Sequence, residues 1–167
     1  MRVALRDVTD LADVLTWVSE LGAKTVVFDI EPLVAYWDGD RTALQDGVDR
    51  VLEKVTALPG VEVVGFATNS LRRLEVRPEH GTARVFYVHG ARKPFVTKVY
   101  QDLPKPGLLV GDQVATDGVL AWRLGWAFAH VEHPEGPPRG PRLMKRLGRP
   151  LSPWLFHRTT RREGPSP

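Results

Sequence analysis

Apolar and polar positions alternate along this chain in blocks whose period switches between strand and helix. Asp7 to Leu21 places Leu11, Val14, Leu15 and Val18 on one face, which predicts a helix. Thr25-Val-Val-Phe-Asp29 is an apolar run short enough for a buried strand. Thr42 to Leu58 returns to helical spacing through Leu44, Val48, Val51, Leu52 and Val55, and Pro59-Gly60 ends it. Val61 to Ala67 predicts a second strand, Leu71 to Arg77 a short helix stopped before Pro78, and Arg84 to Val88 a third strand. Pro94 to Asp102 can be helical with Pro in the first turn. Leu108 to Val110 predicts a fourth strand, Thr116 to Leu124 a helix closed by Gly125, and Trp126 to Val131 a fifth strand.

Strands alternating with helices predict an α/β domain around a mostly parallel five-stranded sheet. From His133 onward Pro and Gly crowd in and the periodicity fades. The expected division is a compact domain over 1–133, with an N-terminal helix within 1–21, and a Pro/Arg-rich tail over 134–167.

Charge sharpens that division. Residues 1–138 hold 15 Lys/Arg against 19 Asp/Glu, a net of −4, whereas 139–167 hold 8 against one, a net of +7. The tail mixes these cations with Leu143, Met144, Leu147, Leu151, Trp154, Leu155 and Phe156. Such a segment can lie on an anionic membrane, pack on the body, or stay unstructured. Nucleic acid would also attract the charge, but no motif for base or backbone recognition accompanies it. The chain has no cysteine, which excludes disulfides, thiolate catalysis and cysteine metal sites. With no signal peptide pattern and no apolar run long enough to span a bilayer, a cytoplasmic protein is expected, with peripheral contact at the inner membrane surface open to the tail.

In an open parallel sheet, ligands bind beyond the carboxyl ends of the strands. Asp29 and Glu31 follow the first predicted strand and Thr68, Asn69 and Ser70 the second. Lys93 comes shortly after the third, and Asp112 and Asp117 after the fourth. Four segments thus deliver acids, hydroxyls and a lysine to one rim. Carboxylates can hold a hard divalent cation such as Mg²⁺, and one of them can attack phosphorus. The five histidines have no metal-ligand spacing.

Val27-Phe28-Asp29-Ile30-Glu31, Ala67-Thr68-Asn69-Ser70, Lys93-Pro94 and Gly111-Asp112-Gln-Val-Ala-Thr-Asp117 resemble, in order, the four motifs of haloacid-dehalogenase (HAD) phosphatases. Ala91-Arg92-Lys93-Pro94 and Gly-Asp-Gln-x-x-Thr-Asp bring the chain nearer to the YqeG-type class IIIA group. That group is similar to the mitochondrial phosphatidylglycerophosphate phosphatases. The resemblance covers residues 22–133. It implies a Rossmann-like three-layer fold with strand order 5-4-1-2-3 and an aspartyl-phosphate mechanism. It also implies that Asp29 is nucleophile, Glu31 general acid/base, and Lys93 the cation beside nucleophile and phosphate. Thr68 and the Asn69 N–H would bind phosphoryl oxygens. Asp29, Asp112, the main-chain carbonyl of Glu31 and, through its water shell, Asp117 would serve Mg²⁺. Two positions depart from the family: Glu31 stands where Asp is usual, and Leu33 where Thr is common, with Pro32 between them. The short gaps between motifs leave no room for a large cap domain. The site is expected to be open under a flap at Pro32 to Arg41, where Tyr36 and Trp37 can meet a leaving group. A phosphorylated, lipid-borne substrate follows as one expectation. A catalytically impaired module that binds a phosphorylated or anionic partner is the alternative.

Overall fold

The computed structural model describes residues 2–36, 38–132, 148 and 150–159. The strands are β1 (Val3–Val8), β2 (Thr25–Phe28), β3 (Val63–Ala67), β4 (Glu79–His80), β5 (Ala83–Val88), β6 (Gly107–Gly111), β7 (Ala127–Val131) and β8 (Phe156–Arg158). The α-helices are α1 (Leu11–Leu21), α2 (Arg41–Thr56), α3 (Val119–Leu124) and α4 (Ser152–Leu155). The strands form one sheet in the order β4-β5-β3-β2-β6-β7-β1-β8. Every pairing is parallel except the β4–β5 hairpin. The fold is therefore α/β with a mostly parallel sheet, but with eight strands rather than five.

Both faces of the sheet are covered, which is why its central strands read as unbroken apolar runs. Val26 and Phe28 of β2, with Leu108 and Val110 of β6, join the core built with Val14, Trp17 and Val18 of α1 and Val48, Val51 and Val55 of α2. Val27 and Leu109 point the other way, into a core with Leu120, Ala121, Leu124, Trp126 and Phe128. Fully burying side chains of this size contributes roughly 1.5–3 kcal/mol each.

Several elements differ from the sequence expectation. The first helix starts at Leu11, not Asp7, because Asp10 is its N-cap and accepts the Asp13 N–H at 2.9 Å. Val3 and Leu5, buried either side of half-exposed Ala4, make the preceding residues a strand that pairs with β7. Leu71 to Arg77 is not helical: the Arg72 carbonyl accepts from the Tyr87 hydroxyl instead of entering a helical ladder. Pro94 to Asp102 forms only a 3₁₀ turn at Lys98–Tyr100, since the carbonyls of Pro94 and Phe95 are taken by the Arg123 guanidinium. Thr116 to Leu124 opens with a wide π turn over Val114–Gly118 before α3.

The basic segment after residue 134 supplies β8, an edge strand parallel to β1. Phe156 is buried there, the Thr159 N–H donates to the Leu5 carbonyl, and Arg158 pairs with Asp7. Leu143, Met144 and Leu147 lie outside the described residues, as does Trp37 of the flap. Among the described residues no helix is long and apolar enough to cross a membrane.

Candidate active site

The carboxyl ends of β2, β3 and β6 sit side by side, so the segments that follow them meet at one rim. Asp29 follows β2, with its N–H held by the Val110 carbonyl of β6 at 2.7 Å. Its Oδ1 accepts from the Ile30 N–H at 2.9 Å, which orients the carboxylate at the strand end. Asp112 follows β6, and Asp117 hangs from the π turn beyond it. Carboxylate oxygens of Asp29, Asp112 and Asp117 lie within 4.8 Å of one another, and all three residues are buried. Gly111 makes this possible, because a Cβ there would stand 2.6 Å from Asp117 Cγ.

Lys93 enters the same pocket from the loop after β5. Its Nζ lies 2.9 Å from Asp29 Oδ1 and 2.6 Å from Asp117 Oδ1, and donates to the Ala67 carbonyl at 2.8 Å. Only 4 % of Lys93 is exposed, so its ammonium has given up water for these three protein partners. Burial alone would lower its pKa, but Asp117 and Asp29 outweigh it and hold it well above the ordinary lysine range.

Asp29 shows the opposite imbalance. Burial pushes its carboxyl well above the ordinary carboxylate range; Lys93 opposes this, and Asp117 and Glu31 add to it. Three carboxylates against one ammonium leave two negative charges in excess if all are ionised. The donors are hard carboxylate oxygens packed within one ion's reach, so the residues present fit a hard divalent cation such as Mg²⁺.

The remaining expected site residues take structural partners. Asn69 clamps the lysine loop: its Oδ1 accepts from the Lys93 N–H at 2.7 Å, and its Nδ2 donates to the Lys93 carbonyl at 3.1 Å. The Thr68 hydroxyl is buried, 3.2 Å from Glu31 Oε2 and 3.0 Å from Ser70 Oγ. The Glu31 carboxylate does not join the three-acid group. It is held by Arg72 Nη1 at 3.1 Å on one oxygen and by Thr68 on the other.

Arg72 escaped the sequence reading, which placed Leu71 to Arg77 on a helix. Its guanidinium also donates to the carbonyls of Tyr36 and Gly39, at 3.0 and 2.6 Å, and so ties the flap to Glu31. A buried acid at position 31 needs a cation, and Arg72, two residues beyond the Thr68-Asn69-Ser70 turn, supplies it. Nearby Tyr87 has its hydroxyl pushed up to about 12, by burial first and then by Glu31.

His130 supports the site: its Nε2 lies 3.2 Å from the Asp112 carbonyl and its Nδ1 2.9 Å from Asp7 Oδ1. Exposed Asp7 and Glu132 and buried His130 also gather potential ligand atoms, but His130 is already committed on both nitrogens. A cleft of about 610 Å³ lies behind the flap, lined by Pro32, Tyr36, Asp38, Gly39, Asp46 and Arg50 among others. None of Asp29, Asp112, Asp117 or Lys93 lines it.

No family model matches this chain, and no curated protein or solved structure matches it either.

Proposed function

We propose that this protein is a Mg²⁺-dependent phosphomonoester hydrolase of the HAD class IIIA type, with Asp29 as the nucleophile. The observation that carries this reading is the meeting of Asp29, Asp112 and Asp117 around one buried point, with Lys93 bridging two of them. The succession β7-β6-β2-β3-β5 within the sheet agrees with the 5-4-1-2-3 layout that the motifs imply.

Asp29 and Asp112 would hold Mg²⁺ with the main-chain carbonyl of residue 31, and Asp117 would orient the water shell. Bound there, the ion supplies neutralisation of charge on the carboxylates and the phosphoryl oxygens. The Asp29 carboxylate attacks phosphorus, the ester P–O bond breaks, and Glu31 gives its proton to the leaving oxygen. Water then attacks the aspartyl phosphate, Glu31 takes a proton back, and inorganic phosphate leaves. Lys93 favours the ionised form of Asp29 against the effect of burial and would face the charge that develops on the phosphoryl group. The proposed substrate is a lipid-borne head-group phosphate such as that of phosphatidylglycerophosphate, reached through a site without a cap domain.

The test is hydrolysis of an aryl phosphate with and without Mg²⁺ by wild-type protein and Asp29→Asn. The proposal requires Mg²⁺-dependent turnover that the variant loses. Equal turnover by both would end it.

One observation favours a second reading, a catalytically impaired module that binds a phosphorylated or anionic partner. Both oxygens of Glu31 are engaged, by Arg72 and Thr68, rather than facing the three acids. Glu31→Asp separates the readings: a large gain in rate marks an impaired enzyme, and a loss marks catalysis adapted to glutamate.

A further inference from the structure

The two loops that enclose the lysine side of the site carry the most exposed apolar side chains near it. Leu71 is 81 % exposed and Phe95 80 %, and Val96 and Val99 are also exposed. Large apolar side chains left in water beside a site mark a surface that something else covers. The loops form one surface. Asn69 and Lys93 are joined by two hydrogen bonds, and the Gly90 and Ala91 N–H groups donate to the Ser70 and Thr68 carbonyls at 2.8 and 2.9 Å. Leu71 Cδ2 lies 3.7 Å from where a Gly90 Cβ would be.

Arg73, Arg92 and Lys98 are exposed among the apolar residues; the acids nearest in sequence, Glu75 and Asp102, stand just beyond them, Glu75 in a cleft with Gln45 and His80. Arg92 adds a separate argument. It has φ +52°, a left-handed conformation that a side chain disfavours and glycine accepts freely. An arginine held there, with its side chain in solvent one residue before Lys93, spends backbone strain to place a cation at the mouth of the site.

We infer that the face formed by Leu71, Arg73, Arg92, Phe95, Lys98 and Val99 docks on an anionic lipid bilayer. The apolar tips enter the headgroup boundary, and the cations meet lipid phosphates. Docking in this way turns the mouth beside Lys93 toward the membrane, so a phosphomonoester on a lipid head group is presented to Asp29. The docking stands independently of catalysis; its consequence for substrate choice rests on the phosphatase reading.

The experiment is co-sedimentation of full-length protein with vesicles of phosphatidylcholine alone or mixed with phosphatidylglycerol. Wild type binds the mixed vesicles, more weakly as salt rises, and does not bind phosphatidylcholine alone. Leu71→Ala/Phe95→Ala weakens binding about tenfold or more. Arg92→Gly relieves the backbone strain, so it folds, and still weakens binding. Leu71→Ala/Phe95→Ala keeps the wild-type rate on a soluble aryl phosphate. Failure of wild type to bind overturns the inference, as does equal binding by the double variant, which would assign the contact to the basic tail. A wild-type dimer in sedimentation that Phe95→Ala abolishes, without vesicle binding, would overturn it in favour of a second copy. A protein that binds vesicles but hydrolyses no phosphate would remove the phosphatase reading and leave the docking face standing.

Discussion

The Lys93 ammonium stands between two acids from different segments, 2.9 Å from Asp29 and 2.6 Å from Asp117, with almost no contact with solvent. Removing one partner of a buried charge pair costs about 3–5 kcal/mol, because the other is left uncompensated. Lys93→Met is therefore expected to lower the unfolding midpoint of metal-free protein strongly. Adding Asp117→Asn to it should restore much of the loss. Thermal melts of the two variants check this, and a double variant no more stable than Lys93→Met would contradict it.

Stability should depend on the Asp29 proton in a defined direction. Its folded-state pKa is raised by burial, so between the unfolded and folded values the native state binds the proton more tightly. Stability therefore falls as pH rises through that window, and Asn at position 29 carries no such penalty. Metal-free Asp29→Asn should melt above wild type near neutral pH, by an advantage that shrinks on acidification toward about pH 4. Mg²⁺ at about 100 times its Kd would stabilise wild type by roughly 2.7 kcal/mol and reverse the ranking. Melts across pH with chelator or Mg²⁺ test both halves.

Much of this site was legible in the chain because its residues obey short-range rules. Asp29, Thr68, Lys93 and Asp112 each follow an apolar strand, and strand ends are where a parallel sheet collects ligands. What escaped was decided at long range. Arg72 has the spacing of a helix residue, but its guanidinium reaches the flap carbonyls and its own carbonyl accepts from Tyr87. His130 has no spacing signal, since its partners Asp7 and Asp112 come from distant segments. Val3–Val8 lies between β7 and Phe156–Arg158, which is the edge strand, so both are fixed by pairing between segments distant in the chain. The hydrogen bond from Thr68 to Glu31 joins segments 37 residues apart, which no local pattern records.

Arg72 is the only described side chain hydrogen-bonded to both Glu31 and the flap carbonyls of Tyr36 and Gly39. Arg72→Ala should free the flap and leave Glu31 without its cation. Amide hydrogen exchange over residues 33–40 should accelerate, while exchange in β2 and β3 stays unchanged. Glu31→Gln, which keeps the shape but not the proton transfer, should lower kcat by about 100-fold or more. A kcat within a fewfold of wild type in Glu31→Gln would show that residue 31 is not the acid/base.

Gly47 lies in α2 directly against the flap. A Cβ there would stand 1.9 Å from the Val34 carbonyl oxygen, and backbone cannot give way as a side-chain tip can. Alanine is intrinsically better than glycine in a helix by about 0.8–1.0 kcal/mol. Gly47→Ala is nonetheless expected to destabilise the protein and to raise exchange in the flap, because the clash outweighs the propensity. A rise in the unfolding midpoint would contradict this packing.

The central claim is that Asp29 becomes phosphorylated. Protein incubated with an aryl phosphate and Mg²⁺, quenched, and reduced with borohydride should yield a peptide with homoserine at position 29, found by mass spectrometry. The account predicts that mark at Asp29, dependent on Mg²⁺ and absent from Asp112→Asn. Substrate turnover with no mark at residue 29, or with the mark on another acid, would contradict it.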